Sequence, residues 1–240
     1  MLDNTNSPVI VLGMHRSGTS LLTGSLQAAG LHLGDVNDFA PHNRKGNKEH
    51  ETLRSLNDEL LARVGCDWKT PPVNQLPLLW TASDTARAVE LTANLRASGQ
   101  VWGFKDPRAI WTLEGWLDLF PQARLVGIFR HPAHVIASLT SRPGALALTR
   151  EQSASLWKVT NERLLELKHK HGFELLEFDS ANGATAFHNR IDKVSAALGL
   201  TAKTEPFYSS DLVNNSGEAE DISSDLRTVY EALQAEASSD

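Results

Sequence analysis

Apolar positions along this chain follow two rhythms. Short, largely apolar runs fall at residues 8–13, 101–104, 124–129 and 173–178. Between them, apolar residues recur at three- and four-residue intervals. Leu53, Leu56, Leu60, Leu61 and Val64 are one such series, and Phe187, Ile191, Val194 and Leu198 are another. The first pattern predicts strands covered on both faces, the second amphipathic helices. The spacing places helices at 19–29, 47–64, 81–97, after 108, from about 132, at 150–171 and at 184–198. A further helix is expected at 221–236, within an acidic, Ser-rich tail covering 213–240. Polar or Pro-rich loops are expected at 31–46 and 66–79.

Strands that alternate with helices imply an α/β fold: a central parallel sheet flanked by helices in three layers, joined by right-handed crossovers. Residues 1–212 are read as a single domain and 213–240 as a tail. In such a sheet, ligands bind beyond the C-terminal strand ends. Three of the four predicted strands end in polar, cationic text: HRSGT after the first, KDPR after the second and RHP after the third. That coincidence points to one anionic ligand.

The stretch GMHRSGTS at 13–20 joins a buried strand to a helix. A turn of small residues there aims backbone N–H groups into one concavity, and the helix N-terminus adds partial positive charge. The spacing is that of a Walker A loop, but Thr19 stands where the Walker lysine would be, and the cation is Arg16. This loop resembles the 5′-phosphosulfate loop of sulfotransferases that use 3′-phosphoadenosine-5′-phosphosulfate (PAPS). The resemblance implies that His15, Arg16, Ser17, Gly18, Thr19 and Ser20 hold the donor, with a P-loop-type fold. GIFRHPAHVIASL resembles the 3′-phosphate motif of the same enzymes, with Arg130 and Ser138 in the binding positions. Arginine suits that role because its fork makes charge-assisted, bidentate bonds to phosphate.

GFKDPR at 103–108 resembles the KDP segment of protein-tyrosine and bacterial sulfotransferases, which implies that Lys105 stabilises the transferring sulfuryl group. Asp106 and Arg108 read equally as a structural ion pair or as orienting groups. NRKGNKE at 43–49 resembles a bacterial acceptor-side segment, and Glu49 becomes the first candidate for general base. On a helix starting at 47 it would share a face with Leu53 and Leu56. His42, His50 and His131 are the alternative bases. Trp102, Trp111 and Trp116 flank the KDPR segment and read as core first, pocket lining second. The cations Lys158, Arg163, Lys168 and Lys170 read as a solvated helix face, and 141–149 as a candidate lid hinged at Gly144. The C-terminal Arg-Lys-Gly element of cytosolic sulfotransferases is not recognisable. The resemblance covers mainly 8–140, with a weaker match at 173–200.

Composition narrows the partners. The 240 residues carry a net charge of −6, which argues against a nucleic-acid binder. Cys66 is the only cysteine, so no internal disulfide or multi-cysteine metal site forms. The polar N-terminus and the lack of a long apolar run lead to the expectation of a cytoplasmic protein without a transmembrane segment. No metal is expected as cofactor, and the co-substrate implied by the resemblance is PAPS. The expected reaction is sulfuryl transfer to a hydroxyl, less readily an amine. A carbohydrate, lipid headgroup, phenol or peptide acceptor all fit the sequence. The rival readings are a P-loop small-molecule kinase and a non-catalytic nucleotide-binding protein.

Overall fold

The computed structural model describes residues 7–37, 46–178, 183–200 and 222–238. Four strands, β1 (Val9–Leu12), β2 (Gly103–Lys105), β3 (Arg124–Arg130) and β4 (Glu174–Phe178), form one parallel sheet in the order β2-β1-β3-β4. Val9 pairs with Gly103 on one side and Arg124 on the other, so β1 is central. The helices are α1 (Thr19–Ala28), α2 (Glu51–Arg63), α3 (Ala82–Leu91), α4 (Ala93–Ala97), α5 (Ala109–Leu119), α6 (Pro132–Thr140), α7 (Arg150–His171), α8 (Gly183–Ala197) and α9 (Ser224–Ser238). The α/β three-layer architecture read from the sequence is the one observed.

Strand alternation divides the core into two layers. Ile10, Leu12, Phe104, Phe129 and Leu175 pack on one face with residues of α2, α5, α6, α7 and α9. Val9, Val11, Val126, Ile128 and Leu176 pack on the other with Leu22 and Leu26 of α1 and Phe187, Ile191 and Val194 of α8. Strands buried on both faces are continuous apolar runs for this reason. From β1 the chain moves outward to β2, then returns past β1 to β3 and on to β4. The connections therefore diverge between β1 and β3, the place where such sheets open a crevice.

Three expectations change. The second helix begins at Glu51, not 47, so Glu49 lies in the preceding loop. Gly46 and Lys48 both take positive φ, 76° and 57°, which is incompatible with residues 47–50 forming a helical turn. The helix expected at 81–97 divides at Thr92, whose hydroxyl donates to the Ala88 carbonyl. The cationic face of α7 is not wholly solvated. Arg163 is buried and paired with Glu114 and Glu166, and Lys168 is buried as well. His42 and Asn43 lie outside the described residues.

The tail helix α9 places Leu226, Val229, Leu233 and Ala237 in the same core as α5 and α7. The Tyr230 hydroxyl donates to the Glu177 carboxylate, and Arg190 Nη2 donates to the Ala237 carbonyl at 2.7 Å.

Candidate active site

The loop after β1 is shaped by two glycines. Gly13 has φ of 149°, and a Cβ there would lie 2.4 Å from the Ile128 carbonyl oxygen. Gly18 has φ of 90°, and a Cβ there would meet Phe178 at 2.9 Å. Both positions need the left-handed region and the absence of a side chain. Gly18 is the N-cap of α1 and supplies no side-chain cap. The first amides of α1 therefore have no side-chain cap. Arg16 also takes a positive φ, 71°, rare for a residue with a Cβ.

Arg16 Nε donates to Ser138 Oγ at 2.7 Å. The contact joins the loop after β1 to α6, 122 residues later. Desolvation lowers the Arg16 pKa below its ordinary value, as expected for a guanidinium drawn out of water. Ser138 is buried on α6. Arg130 ends β3, is buried, and lies with Cζ 5.0 Å from the Phe178 ring centroid. Its carbonyl accepts from Trp157 Nε1 at 3.1 Å. Ser17 is fully buried, and its Oγ makes no hydrogen bond among the described residues. Ser20 Oγ donates to the Asn47 carbonyl at 3.0 Å, tying the loop of Glu49 to the start of α1. Thr19 is buried with its methyl beneath Gly13.

Lys105, at the C-terminal end of β2, donates from Nζ to Glu49 Oε1 at 2.7 Å. The two side chains are only 2% and 11% exposed, so the pair is drawn almost out of water. Glu49 thus faces inward, held there by a loop rather than by a helix face. Asp106 does not contact Lys105. Its Oδ1 accepts from Arg108 Nη1 at 2.9 Å and its Oδ2 from Asn57 Nδ2 at 2.9 Å. Asn57 Oδ1 in turn accepts from Thr112 Oγ1 at 2.7 Å and Trp116 Nε1 at 3.1 Å. Burial pushes the Asp106 carboxyl above its usual range, against the pull of Arg108. Burial alone would lower Arg108, but the charges of Asp106, Asp58 and Glu49 outweigh it and raise the pKa. Asp106 and Arg108 are thus an ion pair tied to α2 through Asn57 and Asp58.

His15 packs against Trp68, ring centroids 4.9 Å apart. Burial holds its pKa well below the ordinary imidazole value, and Arg108, Arg142, Lys105 and Arg16 lower it further. The ring is therefore neutral near pH 7. His15, Trp68, Trp111, Arg108, Met14 and Leu156 line a small cleft. Trp102 and Trp116 are core, whereas Trp111 reaches the cleft. His50 caps α2 and its Nδ1 pairs with Thr52 Oγ1 at 3.0 Å; His131 caps α6 and its Nδ1 accepts from the Ala133 amide.

The Arg16–Ser138 and Lys105–Glu49 contacts lie beyond the C-terminal ends of the sheet, and Arg130 is the last residue of β3. The sequence did not single out Asn57, Trp68 or Arg142. Asn57 sits among leucines on the buried face of α2, and a polar residue in that position was the available signal. Trp68 and Arg142 lie in loops, where no periodicity marks them. Among the described residues no cluster of His, Cys, Asp and Glu is placed to hold a metal ion, and no helix is long and apolar enough to cross a membrane.

Residues 8–177 match the model of the sulfotransferase family, and the chain belongs to that family. Solved structures agree on the fold. The sulfotransferase domain from the Synechococcus PCC 7002 olefin synthase is 18% identical with a TM-score of 0.53, over 90% of this chain and 81% of that one. The sulfotransferase domain from the curacin biosynthetic pathway is 12% identical with a TM-score of 0.55, over 95% and 97%. Sulfotransferase STF9 from Mycobacterium avium is 16% identical with a TM-score of 0.52, over 98% and 76%. A sequence search of curated proteins finds no match.

Proposed function

We propose that this protein transfers a sulfuryl group from PAPS to an acceptor hydroxyl. The observation that carries the reading is the buried Lys105–Glu49 contact beside the Arg16–Ser138 contact, at the ends of adjacent strands. The residues suit the donor. The loop after β1 is kept free of Cβ atoms at Gly13 and Gly18, the α1 N-terminus has no side-chain cap, and the buried Ser17 hydroxyl is unengaged among the described residues. PAPS brings an activated sulfur and a phosphate leaving group. Residues 15–20 would hold its 5′ side and Arg130 and Ser138 its 3′-phosphate.

Glu49 takes the proton from the acceptor hydroxyl as that oxygen bonds to sulfur. The S–O bond to phosphate breaks in the same displacement, and adenosine 3′,5′-bisphosphate (PAP) leaves. Arg16 and Lys105 neutralise charge that gathers on the leaving and transferring oxygens. Lys105 is well matched to this work because its charge is already desolvated and positioned, leaving little to reorganise during reaction. Asp106, Asn57 and Arg108 act only through the segment they brace.

The test is calorimetric titration with PAP, with AMP and ATP·Mg as controls in the same buffer. Binding that requires the 3′-phosphate and weakens at least tenfold in Arg130→Ala is the expected result. A preference for ATP·Mg, or no binding of PAP, refutes the reading.

A further inference from the structure

We infer that Tyr230, on the tail helix α9, is a positioning residue for Arg130: it straps the ends of β3 and β4 together behind that arginine. The role rests on the sulfuryl-transfer reading, which gives Arg130 and Ser138 to the 3′-phosphate of the donor. Strand register lays out the parts. Phe129 pairs with Glu177, and Arg130 with Phe178. Successive side chains on a strand point to opposite faces of the sheet. Phe129 belongs to the core layer that takes in α9, and Phe178 to the layer of α1. Arg130 shares the second face with Phe178, its Cζ 5.0 Å from the ring centroid. A Cβ on Gly18 would meet the same ring at 2.9 Å. Phe178 is thus a platform shared by Arg130 and the loop after β1.

Tyr230 reaches the opposite face. Its hydroxyl donates to the Glu177 carboxylate on β4, which also accepts from Gln234 Nε2 at 3.2 Å. Its ring packs edge-on against Phe129, centroids 6.1 Å apart, and against His131, 4.7 Å apart at 82°. One side chain therefore contacts the residue before Arg130, the residue after it and the neighbouring strand. His131 is the N-cap of α6, its Nδ1 accepting from the Ala133 amide at 3.3 Å. Seating the His131 ring thus also seats the start of the helix that carries Ser138. From α7, Trp157 Nε1 donates to the Arg130 carbonyl at 3.1 Å. These holds fall on the backbone and chain neighbours of Arg130. The direction of its guanidinium is set before a phosphate arrives, which leaves little to reorganise on binding.

The experiment is calorimetric titration of the full chain with PAP, arranged as a double-mutant cycle between Tyr230→Leu and Arg130→Ala. Tyr230→Leu keeps an apolar side chain but removes the ring edge and the hydroxyl. It is expected to weaken PAP at least fivefold in the parent and by no more than twofold in Arg130→Ala, because its effect passes through Arg130. Tyr230→Phe keeps the ring on Phe129 and His131 and is expected to bind PAP within twofold of the parent. Thermal melts verify that each variant is folded at the titration temperature. If Tyr230→Leu does not fold, His131→Asn takes its place on the same thresholds, since Asn keeps a capping oxygen and removes the ring that Tyr230 packs against. A loss under fivefold in the parent background overturns the inference. So does an equal loss in both backgrounds, which would make Tyr230 a general support of the fold. In either case a tenfold loss in Arg130→Ala alone leaves the donor reading standing. Failure of the parent to bind PAP, or an unchanged affinity in Arg130→Ala, removes the donor reading, and the role of Tyr230 falls with it.

Discussion

Glu49 and Lys105 separate charge placement from chemistry. Replacing Glu49 with Gln keeps the shape and removes the proton acceptor. Turnover is expected to fall by about 10²–10⁴-fold, with PAP affinity little changed, in single-turnover and calorimetric assays. An unchanged turnover rate would return the base to a histidine. Asn57 is a different case, since it touches no reactant. It satisfies Asp106, Thr112 and Trp116 together in a fully buried position. Each buried polar group left without a partner costs about 1–3 kcal/mol, so Asn57→Ala is expected to lose roughly 2–4 kcal/mol in urea unfolding. A loss below about 0.5 kcal/mol would mean that the network relaxes around the gap.

Among the elements, α3 is held by a capping box that also ends a salt bridge. Asp84 accepts from the Thr81 amide at 2.7 Å and from Arg63 at 2.7 and 2.8 Å, and the Asp84 amide donates to Thr81 Oγ1. The bond to Arg63, aided by the Thr81 donors, holds the Asp84 carboxyl far below the usual carboxylate range. The folded pKa is depressed, so the stabilisation is complete above the unfolded value of about 4 and fades as pH falls below it. Asp84→Asn is expected to cost about 1–2 kcal/mol at neutral pH and to flatten the acid limb of the stability curve, read from melts between about pH 2 and 7. A variant with the same acid limb as the parent would show that Asp84 is not its source.

For the molecule as a whole, α9 is the element that joins the end of the chain to the core. Ending the chain after residue 221 would remove Leu226, Val229 and Leu233 from that core. Each such side chain is worth about 1.5–3 kcal/mol when buried, so the shortened protein is expected to melt markedly lower or to fail to fold. A melting temperature equal to the parent's would make α9 an appendage.

The sheet and the flanking helices were legible because strands buried on both faces, such as β1, leave short apolar runs that differ from helical spacing. The loop after β1 was legible because its glycines and Arg16 sit within one short stretch. Glu49 was found through a resemblance and then placed on the wrong element, since the positive φ of Lys48 leaves no mark on hydrophobic spacing. The contact of Asp106 with Asn57, 49 residues away, left no mark on any local pattern. Trp68 and Arg142 meet across 74 positions of chain, a distance that no local pattern spans.

The parallel sheet has an evolutionary consequence. Val9–Leu12 is fastened on both sides by main-chain hydrogen bonds, and those bonds are indifferent to which apolar side chains they carry. Drift can rewrite most of such a scaffold without moving its strand ends, consistent with folds shared at 12–18% identity. Trp68 and Arg142 answer to no such constraint, since neither lies on a strand. Sequence in such loops can therefore change freely while the strand framework is inherited intact.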